Sequence, residues 1–263
     1  YRNRNYDQTV TPNHRVLVKK FNKDEYVIKL SEEIFDVKTP YALPTMFNST
    51  ELKGINLSDE EIQMAAILYS DGNIDERNDS IHKIKIFKSE NRYGNKLIKS
   101  LSEKLGLEYK VKEVKRGFAP VNEYVYYGDS ARKLAALVNN DKTNIANIFL
   151  NMNMRQARLF LETWSDFDGN SDKFMCQYDN EEIADKLQQI ALLAGYTSYK
   201  KTKDKTNYVK IRQVSTITPS ERVEVEYDGL VWCPNVDNGT AVFRKNGSIY
   251  ISGQTQAPFT NIT

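Results

Sequence analysis

Two aspartates, Asp71 and Asp168, stand at the ends of apolar stretches and are each followed by a glycine. The stretches, residues 64–72 and 161–169, share one design: an apolar helical segment with a small residue in its third position that closes on Asp-Gly. We expect each helix to end at its aspartate, with the glycine free to take a left-handed turn. If the two helices pack side by side, two carboxylates meet, which is how proteins hold divalent metals against phosphate.

The sequence after each aspartate repeats the same order of elements, whereas an isolated Asp-Gly pair is usually only a turn. After Asp71, the periodicity predicts a strand over 81–87, a helix over 94–105 and a strand over 109–114. After Asp168, it predicts a strand over 174–178, a helix over 181–194 and a strand over 208–214. This duplication predicts a pseudo-two-fold protein, a layout suited to reading two halves of a DNA site. The small residues Ala65, Ala66 and Thr163 would let the two apolar helices approach closely.

The duplicated helix ends resemble the motifs of single-chain LAGLIDADG homing endonucleases. The resemblance implies an α+β fold in which a monomeric endonuclease of duplicated αββαββα units spans residues 60–216. It also implies hydrolysis of both strands of a specific duplex, with Asp71 and Asp168 binding Mg²⁺ or another divalent metal near the scissile phosphates. Four lysines are expected to shield transition-state charge: Lys83, Lys85, Lys203 and Lys205.

The formal net charge of +2 conceals two basic tracts that coincide with the predicted strands. Lys83 alternates with Lys85, and Lys110 with Lys112, so that each pair points to one face of a sheet. Such a face suits the backbone of double-stranded DNA, although a run of lysines is also typical of a solvated surface. Further candidates for contacts with the duplex are Gln177, Asn207, Lys210, Arg212 and Gln213.

The composition is that of a globular protein, since 263 residues with 40% apolar and 27% charged side chains can bury the core of one or two domains. The apolar runs are too short to span a membrane, and the N-terminal residues lack the apolar segment of a signal peptide. Two cysteines are too few for a disulfide framework or a zinc site. We therefore expect a cytoplasmic protein without a membrane partner.

The N-terminal flank carries Thr11 and His14 in a Thr-x-x-His spacing, followed by a strand-like segment. It resembles a block of Hint-type intein splicing domains. The resemblance implies that the hydroxyl and the imidazole polarise the peptide bond at an upstream splice junction. A surface turn with a hydrogen-bonded histidine is the alternative.

The C-terminal flank resembles two further intein blocks. Residues 223–231 resemble a strand-borne block whose aspartate, here Asp228, assists the branch-forming step. Residues 245–255 resemble the downstream junction, with Gln254 as the last intein residue and Thr255 as the nucleophile. Cys233 could act as an acid, a base or a trapped nucleophile, or could simply pack on a strand. The Asn-Gly pairs in this flank equally fit plain β-hairpins.

These resemblances divide the chain. They imply an all-β Hint-like domain in two parts, residues 1–59 and 217–254, interrupted by the endonuclease at 60–216. Residues 255–263 resemble a stretch of anaerobic ribonucleotide reductases and are interpreted as host-protein sequence beyond an intein junction. The first intein block is missing, because the chain opens on Tyr1 close to the second block. A separate N-terminal intein fragment is therefore an expected partner.

The leading interpretation is an intein lacking its N-terminal part, whose endonuclease cleaves the intein-less target site in the host gene. One alternative is a non-catalytic DNA-binding protein on the same duplicated scaffold, similar to LAGLIDADG-like regulators and maturases. A third is a split or truncated intein that is active only in splicing or C-terminal cleavage.

Overall fold

A computed structural model describes residues 1–3, 6–20, 23–37, 41–46, 52–78, 80–89, 93–116, 119–168, 175–178, 180–212, 214–230, 234 and 236–253. The side chains of residues 93, 115, 116, 119, 168 and 175–178 lie outside this description. The helices are α1 (Ser31–Phe35), α2 (Asp59–Asp71), α3 (Tyr93–Lys104), α4 (Gly128–Leu137), α5 (Met154–Asp168) and α6 (Glu181–Leu193), with a 3-10 turn at Asn147–Asn151. The strands are β1 (Arg2–Asn3), β2 (Tyr6–Asp7), β3 (Arg15–Lys19), β4 (Tyr26–Leu30), β5 (Leu43–Pro44), β6 (Gly72–Arg77), β7 (Ser80–Ser89), β8 (Tyr109–Arg116), β9 (Ala119–Tyr127), β10 (Met175–Tyr178), β11 (Thr197–Lys203), β12 (Thr206–Arg212), β13 (Thr216–Ile217), β14 (Thr240–Lys245) and β15 (Ser248–Gly253).

The chain divides into two compact units. The central unit comprises residues 48–194 and 202–210. The flanking unit comprises residues 1–47, 195–201 and 211–263, so it draws on both ends of the sequence. The division passes through β11 and β12, whereas the sequence placed the boundaries at 59/60 and 216/217.

Helix α2 of the central unit begins at a capping box. The Ser58 hydroxyl accepts from the Glu61 amide at 3.2 Å, and the Glu61 carboxylate accepts from the Ser58 amide at 2.7 Å. Acidic side chains in the first turn also favour this end of the helix. Every residue from Met64 to Tyr69 is buried, and the helix ends at Asp71 as the sequence predicts.

The glycine after Asp71 does not adopt the left-handed conformation that the sequence led us to expect. Gly72 has φ −75° and ψ 153°, which is extended backbone, and β6 begins there directly. The expectation was wrong because the backbone of Gly72 packs closely against the last turn of α2, and this contact, not a positive φ, is what favours glycine. A Cβ atom on Gly72 would lie 2.4 Å from the carbonyl oxygen of Leu68 in the last helical turn. The second glycine, Gly169, lies outside the described residues.

Helices α2 and α5 pack along each other through small and aromatic side chains. Ala65, Ala66 and Thr163 are buried, in keeping with a close helix contact. Nearer Asp71, the rings of Tyr69 and Trp164 stack with centroids 6.1 Å apart and planes inclined by 13°. Aromatic pairs of this kind contribute about 0.5–1.5 kcal/mol beyond the area that they bury. The seam therefore holds the ends of the two helices in register.

The first repeat forms a four-stranded antiparallel sheet in the order β6-β7-β9-β8. The predicted strands over 81–87 and 109–114 are confirmed as β7 and β8, and the predicted helix over 94–105 is confirmed as α3. One face of the sheet is buried through Ile84, Ile86, Tyr124 and Tyr126. On this face Tyr126 shares a 2.8 Å hydrogen bond with Ser102 of α3. The opposite face consequently remains available to solvent and ligands.

The second repeat follows a similar order, α5, β10, α6, β11 and β12. β10 pairs antiparallel with β12, and α6 begins where the Asn180 side chain accepts from the Glu182 amide at 2.8 Å. The predicted helix over 181–194 is confirmed as α6, and the predicted strand over 208–214 is confirmed two residues earlier as β12. Residues 169–174, which include the start of the predicted strand over 174–178, lie outside the described part.

The flanking unit contains the hairpins β3-β4 and β14-β15 around a core that includes Tyr6, Val16, Val18 and Tyr250. The Asn-Gly pair at 246–247 forms the β14-β15 turn with both residues at positive φ, 49° and 75°. The strand expected over 223–231 is absent from 222–230, where residues 223–230 are all exposed. This expectation was wrong because alternating valines and acids form a strand only where a partner strand pairs with them. Within the described ranges, no helix has the length and apolar character needed to cross a membrane.

Candidate active site

The ends of α2 and α5 meet at one lysine. The ammonium nitrogen of Lys88, on β7, lies 2.7 Å from Oδ2 of Asp71 and donates to the carbonyl oxygen of Phe167 at 2.8 Å. Asp71 is the last residue of α2, and Phe167 immediately precedes Asp168 at the end of α5. One nitrogen thus brings together the two helix ends that the sequence singled out.

Lys88 is well suited to this position. It lies beneath the helix ends with its side chain 5% exposed and its ammonium 4.1 Å from the centroid of the Phe167 ring. Helix C-termini carry partial negative charge and unpaired carbonyls, so a cation between two of them is stabilised. Gly94 leaves room for it, because a Cβ there would lie 2.9 Å from Cε of Lys88.

Lys88 is not among the residues predicted from the sequence, although its position on β7 carries a signal. The alternation that directs Lys83 and Lys85 to one face of β7 assigns Ile84, Ile86 and Lys88 to the opposite, buried face. A lysine among isoleucines on a buried strand face needs an anionic partner, which marks it as a functional or structural candidate.

A cleft of about 370 Å³ opens beside Asp71. It is lined by Ser70, Asp71, Gly72, Asn73, Lys85, Phe87 and Lys142. Asp71 is 24% exposed, so its carboxylate reaches from the buried lysine to the open cleft. The walls of the cleft thus carry two ammonium groups and one carboxylate.

The four lysines predicted to shield charge occupy different places. Lys85 lines the cleft and pairs with Glu123 at 2.5 Å. Lys83 pairs instead with Asp75 at 3.2 Å, further along the β6-β7 hairpin. Lys203 and Lys205 flank the exposed β11-β12 turn, where Lys205 itself has a positive φ of 68°. Among the four, the contacts favour Lys85 as the lysine next to Asp71.

The groups at the ends of α2 and α5 are compatible with a hard divalent cation. Their acceptors are carboxylate and main-chain oxygens, the ligands that Mg²⁺ prefers. One carboxylate oxygen of Asp71 accepts from Lys88, and the partly exposed carboxylate is suited to bind a metal as well. Asp168, the second predicted ligand, is described in its backbone alone. Among the described side chains, no group of three or more His, Cys, Asp or Glu is arranged to hold a metal.

The chain matches no protein-family model and no curated protein sequence. Its fold resembles that of LAGLIDADG homing endonucleases of known structure. I-DmoI in complex with DNA and Mn is 14% identical, with 59% of this chain and 90% of that chain covered and a TM-score of 0.46. I-WcaI bound to its DNA recognition sequence is 13% identical, with 60% and 78% covered and a TM-score of 0.41.

A third similar structure is the full-length DUF199/WhiA protein from Thermotoga maritima. It is 10% identical, with 62% of this chain and 54% of that chain covered and a TM-score of 0.41. At these scores the likeness concerns the general fold alone. The function of the chain has to be inferred from its own residues.

A basic face lies on the solvent side of the first sheet. The strand register places Lys83 and Lys85 of β7 on the same face as Lys110 and Lys112 of β8, as the alternation predicts. We call these four lysines the basic face. The Lys110 ammonium also lies 5.9 Å from the centroid of the Tyr127 ring, on the strand between them. Their common face suits contact with a sugar-phosphate backbone, although Lys83 and Lys85 are paired there with Asp75 and Glu123.

The other predicted DNA contacts are placed unequally. Asn207 is 4% exposed, and its side-chain oxygen accepts from the Thr202 hydroxyl at 2.8 Å. Its described contact therefore lies within the β11-β12 hairpin. Lys210 alternates with the buried Asn207 and Val209 and is half-buried. Arg212 lies over the Tyr199 ring at 5.8 Å. Gln177 is described in its backbone alone, where it pairs with Tyr208, and Gln213 lies outside the described residues.

In the flanking unit, His14 meets the last described strand. Its Nε2 lies 2.7 Å from the Ser252 hydroxyl oxygen, which also accepts from the Gln8 side-chain amide at 2.7 Å. Burial lowers the pKa of His14, because it disfavours the charged imidazolium. Thr11 has a different partner, since its hydroxyl donates to the Asn13 side-chain oxygen at 2.8 Å. Thr11 and His14 thus have different described partners, and their action on one upstream peptide bond stays a prediction.

The remaining predicted splicing residues have no described contacts with His14. Asp228 is exposed in the segment that forms no strand. Cys233, Gln254 and Thr255 lie outside the described residues, as does the 255–263 stretch interpreted as host sequence.

Proposed function

We propose that the central unit is a metal-dependent DNA endonuclease that cuts both strands of a specific duplex, with Asp71 as its catalytic carboxylate. The observation that supports this most directly is the Lys88 contact, which draws the ends of α2 and α5 together beside a cleft. Through this one ammonium, Asp71 and the end of α5 are held close to each other, as a metal site shared by the two helix ends needs.

Each residue of the site has a separate task in this proposal. A divalent metal at Asp71 and Asp168 would supply an activated water and stabilise the leaving oxygen. Lys88 holds the Asp71 carboxylate at the helix end and offsets part of its charge. Lys85 on the cleft wall would neutralise a non-bridging phosphate oxygen in place of its present partner Glu123. Asp168 completes the acidic pair from the end of α5.

Double-stranded DNA is the proposed partner, and its backbone would lie across the basic face. The four lysines share a face with partly buried Phe87 and with Tyr127, so charge and aromatic surface alternate there. Lysine contacts to phosphate position a duplex without reading its sequence. The proposed target is the intein-less host gene that the resemblance of residues 255–263 implies.

The test compares Asp71→Asn with Asp75→Asn on a supercoiled plasmid that carries an uninterrupted anaerobic ribonucleotide reductase gene, in the presence of Mg²⁺. Asp75 is a matched control, because it is also an aspartate paired with a lysine of β7, at the exposed end of the hairpin. We expect linear product from the wild type and Asp75→Asn, and retarded but uncut plasmid from Asp71→Asn. Normal cleavage by Asp71→Asn would remove Asp71 from the mechanism. A wild type that retards the plasmid without cutting it would favour the non-catalytic DNA-binding alternative.

A second candidate function belongs to the flanking unit, for which we propose residual splicing or C-terminal cleavage. It is supported by the contact between His14 and Ser252, which are 238 residues apart and bring the two flanks together two residues before Gln254. Mass spectrometry of the purified chain would detect loss of the peptide beginning at Thr255, or ligation to a supplied N-terminal intein fragment. A chain that keeps its full mass under both conditions would contradict this activity.

A further inference from the structure

Glu123 is an acidic residue in the middle of the basic face. It belongs to β9, which lies between β7 and β8 in the sheet, the two strands that carry the four lysines. The register places Glu123 opposite Lys112 of β8. Val125, two residues further along the same face, lies opposite both Lys85 and Lys110. Because diagonal neighbours on a sheet face are about 7–8 Å apart, this carboxylate is surrounded by three of the four lysines.

The Glu123 carboxylate forms an ion pair with Lys85. Its Oε1 lies 2.5 Å from the Lys85 ammonium nitrogen, and the glutamate side chain is 10% exposed, against 28% for the lysine. A carboxylate with so little access to water is costly to leave without its partner. A phosphate group that takes Lys85 away from Glu123 therefore has to offset the loss of this pair.

A carboxylate in this place weakens the attraction of the basic face for a polyanion. It cancels the charge of the lysine that it pairs with, and it repels phosphate groups itself. Lys110 differs from Lys85, because its ammonium lies 5.9 Å from the centroid of the uncharged Tyr127 ring. That contact does not cancel the charge of Lys110. The lysines of the basic face are thus unequal in what they offer to a DNA backbone.

We propose that Glu123 is a positioning residue that withholds Lys85 from the phosphate backbone of non-specific DNA. While the pair is intact, non-specific binding depends on Lys110 and Lys112, and Lys85 stays at the cleft beside Asp71. The inference rests on the DNA-binding function proposed above for the central unit. It adds to that function a residue that limits the affinity for DNA of arbitrary sequence.

The first test measures the binding of the full chain to a short duplex of arbitrary sequence, without metal, over a range of salt concentrations. Glu123→Gln keeps the size of the side chain and removes its charge. We expect it to bind about three- to tenfold more tightly at about 0.1 M salt. The slope of log affinity against log salt concentration should grow in magnitude by about 1, because one more lysine contacts phosphate.

Glu113→Gln is the matched control. Glu113 is an exposed carboxylate of β8, and the strand alternation places it on the face opposite to that of Lys112. Its removal changes the net charge equally and should leave the salt slope nearly as it is in the wild type. A glutamate that only supported the fold would lower the affinity when replaced, whereas our proposal requires a gain. Equal affinities and slopes for the two variants would overturn it.

A double-variant cycle tests whether Glu123 acts through Lys85. When Glu123→Gln is introduced into a Lys85→Met protein, most of the gain in affinity should be lost, because the lysine that it releases is absent. The full gain in the Lys85→Met background would show that Glu123 acts on phosphate directly. That result would overturn the positioning role.

The second measurement follows the lysines themselves in the wild type, labelled with 13C at the lysine ε-carbons. The signals of Lys85 and Lys110 are assigned by their loss in Lys85→Met and Lys110→Met. When the same duplex is added, the Lys110 signal should shift while the Lys85 signal stays in place, and in Glu123→Gln both should shift. A wild-type Lys85 signal that shifts as far as that of Lys110 would overturn the proposal. A wild type that binds no duplex would contradict the DNA-binding function and this role together, whereas the other contrary results contradict this role alone.

Discussion

Lys88 and Asp71 form an ion pair whose two members have unequal access to solvent: the lysine side chain is 5% exposed and the aspartate side chain is 24% exposed. The Lys88 ammonium is therefore buried in the central unit, while the Asp71 carboxylate faces the cleft. The lysines of the Lys83–Asp75 and Lys85–Glu123 pairs on the same sheet are more exposed, at 19% and 28% of their side chains. The burial of Lys88 determines which partner of its pair is more costly to remove.

We expect Asp71→Asn to be more destabilising than Lys88→Met. Asp71→Asn leaves a buried ammonium with the Phe167 carbonyl as its described partner, and should lower the free energy of unfolding by about 3 kcal/mol. Lys88→Met replaces the buried charge by an apolar chain of similar length and should cost less. The double variant should recover part of the loss seen in Asp71→Asn. Urea denaturation measures all three.

The pair of Lys83 and Asp75, in which the lysine is 19% exposed, is the control for this cycle. Removing either of its members should change the free energy of unfolding far less than Asp71→Asn does, because the remaining partner keeps access to water. Equal losses in the two pairs, or a Lys88→Met variant less stable than Asp71→Asn, would show that Lys88 is not buried as a charge.

Gly72→Ala should destabilise the central unit by about 1–3 kcal/mol and impair cleavage, because the new methyl group would meet the Leu68 carbonyl at 2.4 Å. Backbone has to shift to accommodate it, and the shift moves Asp71 directly. Ser70→Ala, two residues earlier, adds no atoms and is the comparison for both stability and cleavage. A Gly72→Ala protein as stable as Ser70→Ala would contradict the close approach at the helix end.

Acidification should destabilise the flanking unit through His14. Burial holds the pKa of His14 below its ordinary value, so the unfolded chain takes up its proton at a higher pH than the folded chain. The stabilising contribution of neutral His14 is present above the ordinary histidine pKa of about 6.5 and is lost as the pH falls from about 7 towards 5. The change in urea midpoint over this interval measures it.

A substitution of His14 tests this expectation directly. His14→Gln should flatten the dependence of the urea midpoint on pH between about 7 and 5, because it removes the buried titrating group. Identical pH profiles for His14→Gln and the wild type would contradict a depressed His14 pKa.

Removing two lysines of the basic face should weaken DNA binding in a salt-dependent way. For Lys110→Met/Lys112→Met, the slope of log affinity against log salt concentration should fall in magnitude by about 2, one phosphate contact for each lysine. Lys96→Met/Lys99→Met is the matched control on α3, which packs on the other face of the sheet. Equal slopes for the two double variants on a non-specific duplex would show that the basic face does not contact the backbone.

Much of the local structure was predictable from periodicity and end signals. The capping box at Ser58, the buried run of α2 and the alternation in β7 and β8 each act over a few residues, and the structure confirms the elements that they predicted. The strand prediction over 223–231 was wrong, because a strand also needs a partner strand from elsewhere in the chain. Residues 222–230 carry a strand-like alternation but form no strand.

The sequence by itself determined where α2 and α5 end and which lysines share a face, because these properties follow from the local periods of helix and strand. Only the tertiary structure decided that Lys88 joins the two helix ends and that Lys142, between α4 and the 3-10 turn, reaches the residue after Asp71. Those contacts join residues from separate elements, and no local period encodes which buried or half-buried cation will find which oxygen. The candidate site is therefore made of aspartates that the sequence singled out and of lysines that packing placed beside them.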